Sequence, residues 1–397
     1  YGALNLDQSG LNPIGDSNPV RIPASTPVNL RGGTLTLTSG GSVDSTATID
    51  ALNILEGRNQ IAVPQAPISG HGALTIDNLV RSNPDSTINF TGGTNNAFSN
   101  YPGLNQSQLF INQIDGTPIP ATITNKILGG WALVNNGEFA TSVSPDTVGS
   151  NGINWGVITM NGTTGPLGTI TQDRYDNYVE SATNAVAMPA SAAANNVRVA
   201  NTANPIIAMT ATLPAGTNTY NSLALRSGSA TAGITVAFTA ATDVLNLGSG
   251  GLAMTSGGAI IGASVGSGRL TAGGTAGGVS RLYVYQNGAS GTINSIIQNN
   301  GVGSTRLVLT PIQNTLTIAG VNTYTGGTVI NGAGGTVALA STSSAVPAGD
   351  FILNNATVTS SVAGNIASTN TATLNGGSSL TLTGANTLNS LSFNNTG

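Results

Sequence analysis

An all-β chain wound into a parallel β-solenoid is the fold class that this 397-residue sequence predicts, and three features predict it. Apolar and polar residues alternate in short runs, glycine-containing pairs separate those runs, and equivalent apolar positions return at a nearly fixed interval toward the C-terminus. The runs Thr34-Leu35-Thr36-Leu37-Thr38, Leu74-Thr75-Ile76, Ile234-Thr235-Val236-Ala237-Phe238, Leu316-Thr317-Ile318 and Leu380-Thr381-Leu382 have period two, which is that of a strand with one buried face. Between runs lie pairs such as Gly32-Gly33, Asn331-Gly332, Gly334-Gly335 and Gly376-Gly377, which supply the positive φ of tight corners. Leu316, Val337, Val358 and Leu380 are 21, 21 and 22 residues apart, and Ile330, Ile352 and Leu374 are 22 and 22 apart. Two apolar rows with one interval are expected when each coil lies directly on the last, so that side chains pile into interior columns.

Taken in order, residues 1–125 read as solenoid coils, beginning with Ala3-Leu4-Asn5-Leu6 and carrying a less regular stretch of Asn, Gly and Pro at 83–120. Residues 126–220 break the rhythm and read as an irregular, decorated, loop-rich middle. Trp131, Trp155, Tyr175 and Tyr178 hold much of its aromatic content, and Pro145, Pro166, Pro189, Pro205 and Pro214 punctuate it. Its Ala-rich segment from Ser181 to Asn195 is the best helical candidate in the chain, but Pro189 interrupts it and no cap opens it. Residues 221–397 read as regular coils of about 21–25 residues, the wider interval being suggested by Leu245, Leu270 and Ile293.

Composition narrows the function. Charged residues make up 7% of the chain against about 25% in an average soluble protein. The net charge is −4 and Lys126 is the sole lysine, so the clustered cations that nucleic acid or an anionic membrane surface requires are missing. An apolar share of 39% with so little charge points to a folded chain. Cysteine is absent, which removes disulfides, thiolate metal sites and thiol nucleophiles. No apolar run approaches the roughly 20 residues of a membrane-spanning helix.

Few residues are candidates for chemistry. His71, within Gly70-His71-Gly72, reads as a turn residue just ahead of a strand. Gly262-Ala263-Ser264-Val265-Gly266 matches the GxSxG elbow of hydrolases, yet no helical pattern follows and no histidine lies beyond Ser264. The glycine clusters 248–251 and 273–278 lack the lysine and following helix of a phosphate loop and read as coil corners. Asp173, Arg174, Asp176 and Glu180 form the densest ionisable group. Its carboxylates are a candidate for calcium or for the acid pair of a glycan-cleaving site, although the ligand spacing of a calcium loop is missing and the plain reading is a solvated loop. Exposed aromatics and amides suit sugars, which makes Trp131, Trp155, Tyr175 and Tyr178 the candidate ligand-binding residues.

From Asn314 to Leu339 the chain reads NTLTIAGVNTYTGGTVINGAGGTVAL, which closely resembles the autotransporter-associated β-strand repeat of very large bacterial surface proteins. The resemblance is most specific at the turn Asn322-Thr323-Tyr324-Thr325-Gly326-Gly327-Thr328, and segments at 1–10, 31–40, 127–141, 268–274 and 380–397 are similar to the same family. It implies a right-handed parallel β-helix serving as an extracellular passenger, stalk or fibre. The expected function is therefore structural and non-catalytic, at the bacterial cell surface, with no catalytic, cofactor or metal residues assigned. Alternatives are an adhesin that binds carbohydrate or another surface through residues 126–220, and a β-helix glycan-degrading enzyme using Asp173 and Asp176. Both ends resemble interrupted repeats, so the expected partner is a further coil, from a longer chain or from another copy stacked end to end in a homopolymeric fibre.

Overall fold

The computed structural model describes residues 1–10, 21–40, 44–64, 72–92, 107–119, 125–143, 156–159, 175–180, 183–201, 207–226, 232–255, 257–274 and 276–394. The chain is all-β, a parallel β-solenoid, and it divides into two compact units, Tyr1–Arg174 and Tyr175–Gly397.

In the first unit the strands Ala3–Asp7, Thr34–Thr38, Arg58–Ala62, Thr87–Thr91 and Ala132–Val134 pair in parallel, each with the next. A second row, Val28–Arg31, Ser45–Glu56, Gly72–Val80 and Ser107–Ile114, does the same. The chain alternates between the rows, so residues one coil apart become neighbours. Leu35, Ile61, Phe90 and Val134 stack in register in one row and Leu52, Leu79 and Ile114 in the other, all buried. The parallel order stops at Val134, where Asn135 and Asn136 both take positive φ and reverse the chain into the antiparallel strand Glu138–Val143. Asn135, Asn136 and Gly137 make a three-residue connection, with the Gly137 N–H donating to the Val134 carbonyl at 3.1 Å, and after glycine asparagine is the residue that best tolerates such left-handed positions.

The second unit has a row of ten parallel strands running from Asn177–Glu180 to Ser390–Asn394 and a row of nine from Ala185–Ala187 to Ser379–Leu382. Regular pairing thus starts at Asn177, and the Ala-rich candidate for a helix supplies the strands Ala185–Ala187 and Ala192–Ala200. One interior column holds Val197, Leu223, Leu252, Val284, Leu309, Ile330, Leu353 and Leu374, every one buried. Removing such a side chain from water stabilises the fold by about 1.5–3 kcal/mol, and no single coil can do it alone.

The nine-strand row places Leu316, Val337, Val358 and Leu380 in register, as their spacing predicts. The companion series shifts by one residue. Leu353, not Ile352, lies between Ile330 and Leu374, while Ile352 pairs with Val329 on the opposite face of the strand. A slip of one residue exchanges the faces of a strand, and an interval of 22 and 22 conceals a true 23 and 21. Farther upstream Leu245 pairs with Leu270, but Leu270 pairs with Ile297, and Ile293 belongs to the nine-strand row beside Ile261 and Ile318.

Outward from that row stand two columns of small residues, all bearing a hydroxyl except Ala338. Thr315, Thr336, Thr357 and Ser379 form one, and Thr292, Thr317, Ala338, Thr359 and Thr381 form the other.

Candidate functional site

The seven-residue turn Asn322–Thr328 shows what this sequence does with its polar groups. Asn322 is buried, accepts the N–H of Ile297 on Oδ1 at 2.8 Å and donates Nδ2 to the carbonyl of Ala345 at 2.8 Å, thereby fastening one coil to the coils on both sides. Tyr324 points into the core with its ring wholly buried, and its hydroxyl shares a hydrogen bond of 2.6 Å with Thr328 Oγ1. Burial holds the Tyr324 hydroxyl in its protonated form well beyond the usual phenol range. Asn299 clasps Thr325 from the preceding coil, accepting its N–H on Oδ1 at 3.0 Å and donating Nδ2 to its hydroxyl at 2.9 Å.

The two glycines permit this approach. A Cβ on Gly326 would stand 2.5 Å from the Thr305 carbonyl oxygen, and Gly327 has φ +85 with Gly349 stacked against its Cα. Arg306 seals the outside, donating to the Gly326 carbonyl at 2.8 Å and pairing with Asp350 at 3.4 Å. The turn is a clasp between coils whose every polar side group named here is used internally.

Asparagine does the same work inside the second unit. Asn331, Asn354 and Asn375 are buried and in register, with Asn354 Nδ2 donating to Asn331 Oδ1 at 2.9 Å and Asn375 Nδ2 to Asn354 Oδ1 at 2.7 Å. Hydrophobic periodicity does not reveal this ladder. The readable signal is the recurrence of asparagine one residue after the interior Ile330, Leu353 and Leu374.

The residues singled out for chemistry are distributed, not gathered. Trp131 is 6% exposed, with the Arg81 guanidinium carbon 4.1 Å from its ring centroid and the Gly129 backbone against its indole. Tyr175 is 6% exposed, with Arg198 at 6.0 Å from its ring. Both rings are core side chains roofed by a cation, a contact worth about 0.5–2 kcal/mol. Tyr178 lies in the strand Asn177–Glu180, its backbone in register with Arg198. Trp155, His71, Asp173 and Arg174 lie outside the described residues.

Asp176 has a structural employment: its Oδ2 accepts the Asn196 N–H at 2.9 Å, and Asn196 Oδ1 in turn accepts Asn221 Nδ2 at 2.8 Å and Ser222 Oγ at 2.7 Å. Ser264 shares a hydrogen bond with Ser267 at 2.7 Å on an exposed corner, and the strand Arg269–Ala272 follows it. Among the described residues no three His, Asp or Glu side chains come together as metal ligands, and no helix is long and apolar enough to cross a membrane.

The last rung of the second unit departs from the coils beneath it. Leu391 and Phe393 continue the columns of Ala372 and Leu374, yet they are 48% and 70% exposed. Comparison with protein-family models, with curated proteins and with solved structures found no match.

Proposed function

We propose that the chain is a structural, non-catalytic segment of an extracellular bacterial fibre, stalk or surface passenger protein. The observation that carries this reading is the interior column from Val197 to Leu374, kept in register through every rung while the polar side chains of the turns bind neighbouring coils. A protein whose output is length and stiffness needs that continuity, and a catalyst needs convergent ionisable groups. Resemblance of the Asn322–Thr328 turn to the autotransporter-associated repeat supports a place at the cell surface.

A further rung, from the same polypeptide or from another copy, would bury Leu391 and Phe393 and give the strand Ser390–Asn394 a second neighbour. Electron microscopy of the purified chain at rising concentration tests the reading. Rods that lengthen in whole-chain steps, and that stop doing so in Phe393→Asp, are expected. Particles of fixed size, together with release of reducing sugars from a bacterial glycan, would replace the structural role with an enzymatic one.

A further inference from the structure

We propose that the outward face of the nine-strand row, between Thr292 and Thr381, binds ice. Parallel strands lie about 4.8 Å apart and two residues along a strand span about 6.6 Å, so the two hydroxyl columns form a rectangular array with those repeats. Water bonded tetrahedrally through O···O contacts of about 2.75 Å repeats at about 4.5 Å between second neighbours. The spacing across the strands therefore nearly coincides with a row of oxygens in ice, and four successive rungs keep it, from Thr315-Leu316-Thr317 to Ser379-Leu380-Thr381, with Ala338 the one outward position of these rungs that lacks a hydroxyl.

The chemistry of the face fits the same occupant. Its four strands TLTI, TVAL, TVTS and SLTL contain no charged residue, so no ion fixes the hydration shell in a pattern foreign to the lattice. Among the described residues, the hydroxyls of Thr317, Thr359 and Thr381 have no hydrogen-bond partner in the chain, in contrast to the turn asparagines. Each threonine also presents a methyl group, around which first-shell water is ordered. Interior columns beneath, Leu316 to Leu380 and Ile318 to Leu382, hold the strands in place, so the array is ordered before binding.

A protein partner suits the face less well. Four rungs of two residues present a few hundred Å² at most, well under the roughly 800 Å² per side of a stable complex.

The test uses the whole chain in an ice-recrystallisation assay, beside Thr359→Lys and a control, Thr373→Lys, which changes an outward position of the ten-strand row. Circular dichroism establishes that all three proteins are folded. Recrystallisation is expected to be inhibited by the parent and by Thr373→Lys, and at least tenfold less by Thr359→Lys. Absence of inhibition by the parent overturns the proposal, and so does equal loss in both variants, which would place the activity elsewhere. The result is independent of rod growth in the microscope, so the fibre reading and this one can fail separately.

Discussion

Two stretches of the second unit hold the same ladder with different lengths of chain. From Leu316 to Leu380 the nine-strand row advances by 21, 21 and 22 residues per coil. From Ala185 through Thr210, Thr235, Ile260 and Thr292 to Thr317 it advances by 25, 25, 25, 32 and 25. Strand pairing survives in both because the additional residues are taken up outside the paired positions. In the wide stretch Gly248, Ser249 and Gly250 bulge out opposite the single Asn221, and Gly273 and Gly274 leave the strand Arg269–Ala272 through a corner with positive φ at Gly273. Register is therefore a property of the columns, and coil length a property of the corners.

The largest expected effect tests whether the columns have been assigned to the correct residues in the narrow coils. Leu353→Ala removes a fully buried member of the interior column and is expected to cost about 2–5 kcal/mol in chemical denaturation. Ile352→Ala, one position away and facing outward, is expected to cost less than about 1 kcal/mol, since it vacates no enclosed space. Reversal of that order would restore the one-residue shift that simple spacing suggests and would break the comparison at its root.

This pair also marks how much could be read beforehand. Strand, turn and solenoid were legible because period two and a repeat of 21 or 22 residues are direct consequences of stacking, as Leu316, Val337 and Val358 illustrate. The face of a strand was less legible where both neighbours are apolar: Phe351, Ile352 and Leu353 offer no polar residue to mark the outward side. The interval of 25 in the wide coils was legible at Leu245 and Leu270, but not in the nine-strand row, where Thr210, Thr235 and Ile260 differ in polarity while sharing a column. Trp131 and Tyr175 attracted attention as large aromatics, but a sequence does not show that Arg81 and Arg198 cover their rings. The clasp at Asn322–Thr328 was visible as a motif, and its reason, Asn322 bridging Ile297 and Ala345, required the coils on either side.

A second, smaller effect belongs to the wide coils. Gly250 has φ +76, and a Cβ there would meet the Arg281 carbonyl oxygen at 1.8 Å, so Gly250→Ala combines a left-handed conformation with a collision against backbone. A loss of about 1–3 kcal/mol is expected. Gly274, in the neighbouring corner, has open space around its Cβ position, and Gly274→Ala is expected to be neutral or to stabilise by up to about 1 kcal/mol through the unfolded chain. Equal effects in thermal melts would mean that wide corners are loose throughout, instead of anchored at the bulge.

The smallest effect compares one buried tyrosine from each stretch. Tyr220, in the wide coils, donates its hydroxyl to the Pro189 carbonyl at 2.6 Å, and burial pushes its pKa up to about 12. Tyr324, in the narrow coils, is raised further by deeper burial, although its bond to Thr328 works in the opposite direction. An unfolded tyrosine ionises near pH 10, so each folded ring retains its proton where the unfolded one loses it. The stability contributed this way is complete below about pH 10 and declines as pH rises through the folded pKa. At neutral pH, Tyr220→Phe and Tyr324→Phe are each expected to cost about 0.5–1.5 kcal/mol for the lost hydrogen bond. Above pH 10 the denaturation midpoint should fall less steeply in both variants than in the parent, and Tyr324→Phe should flatten the profile more. Tyr324 closes its own turn from within the core by its bond to Thr328, whereas Tyr220 reaches a corner carbonyl one coil away. A greater flattening in Tyr220→Phe would mean that the wide corners, not the clasp, exclude water better.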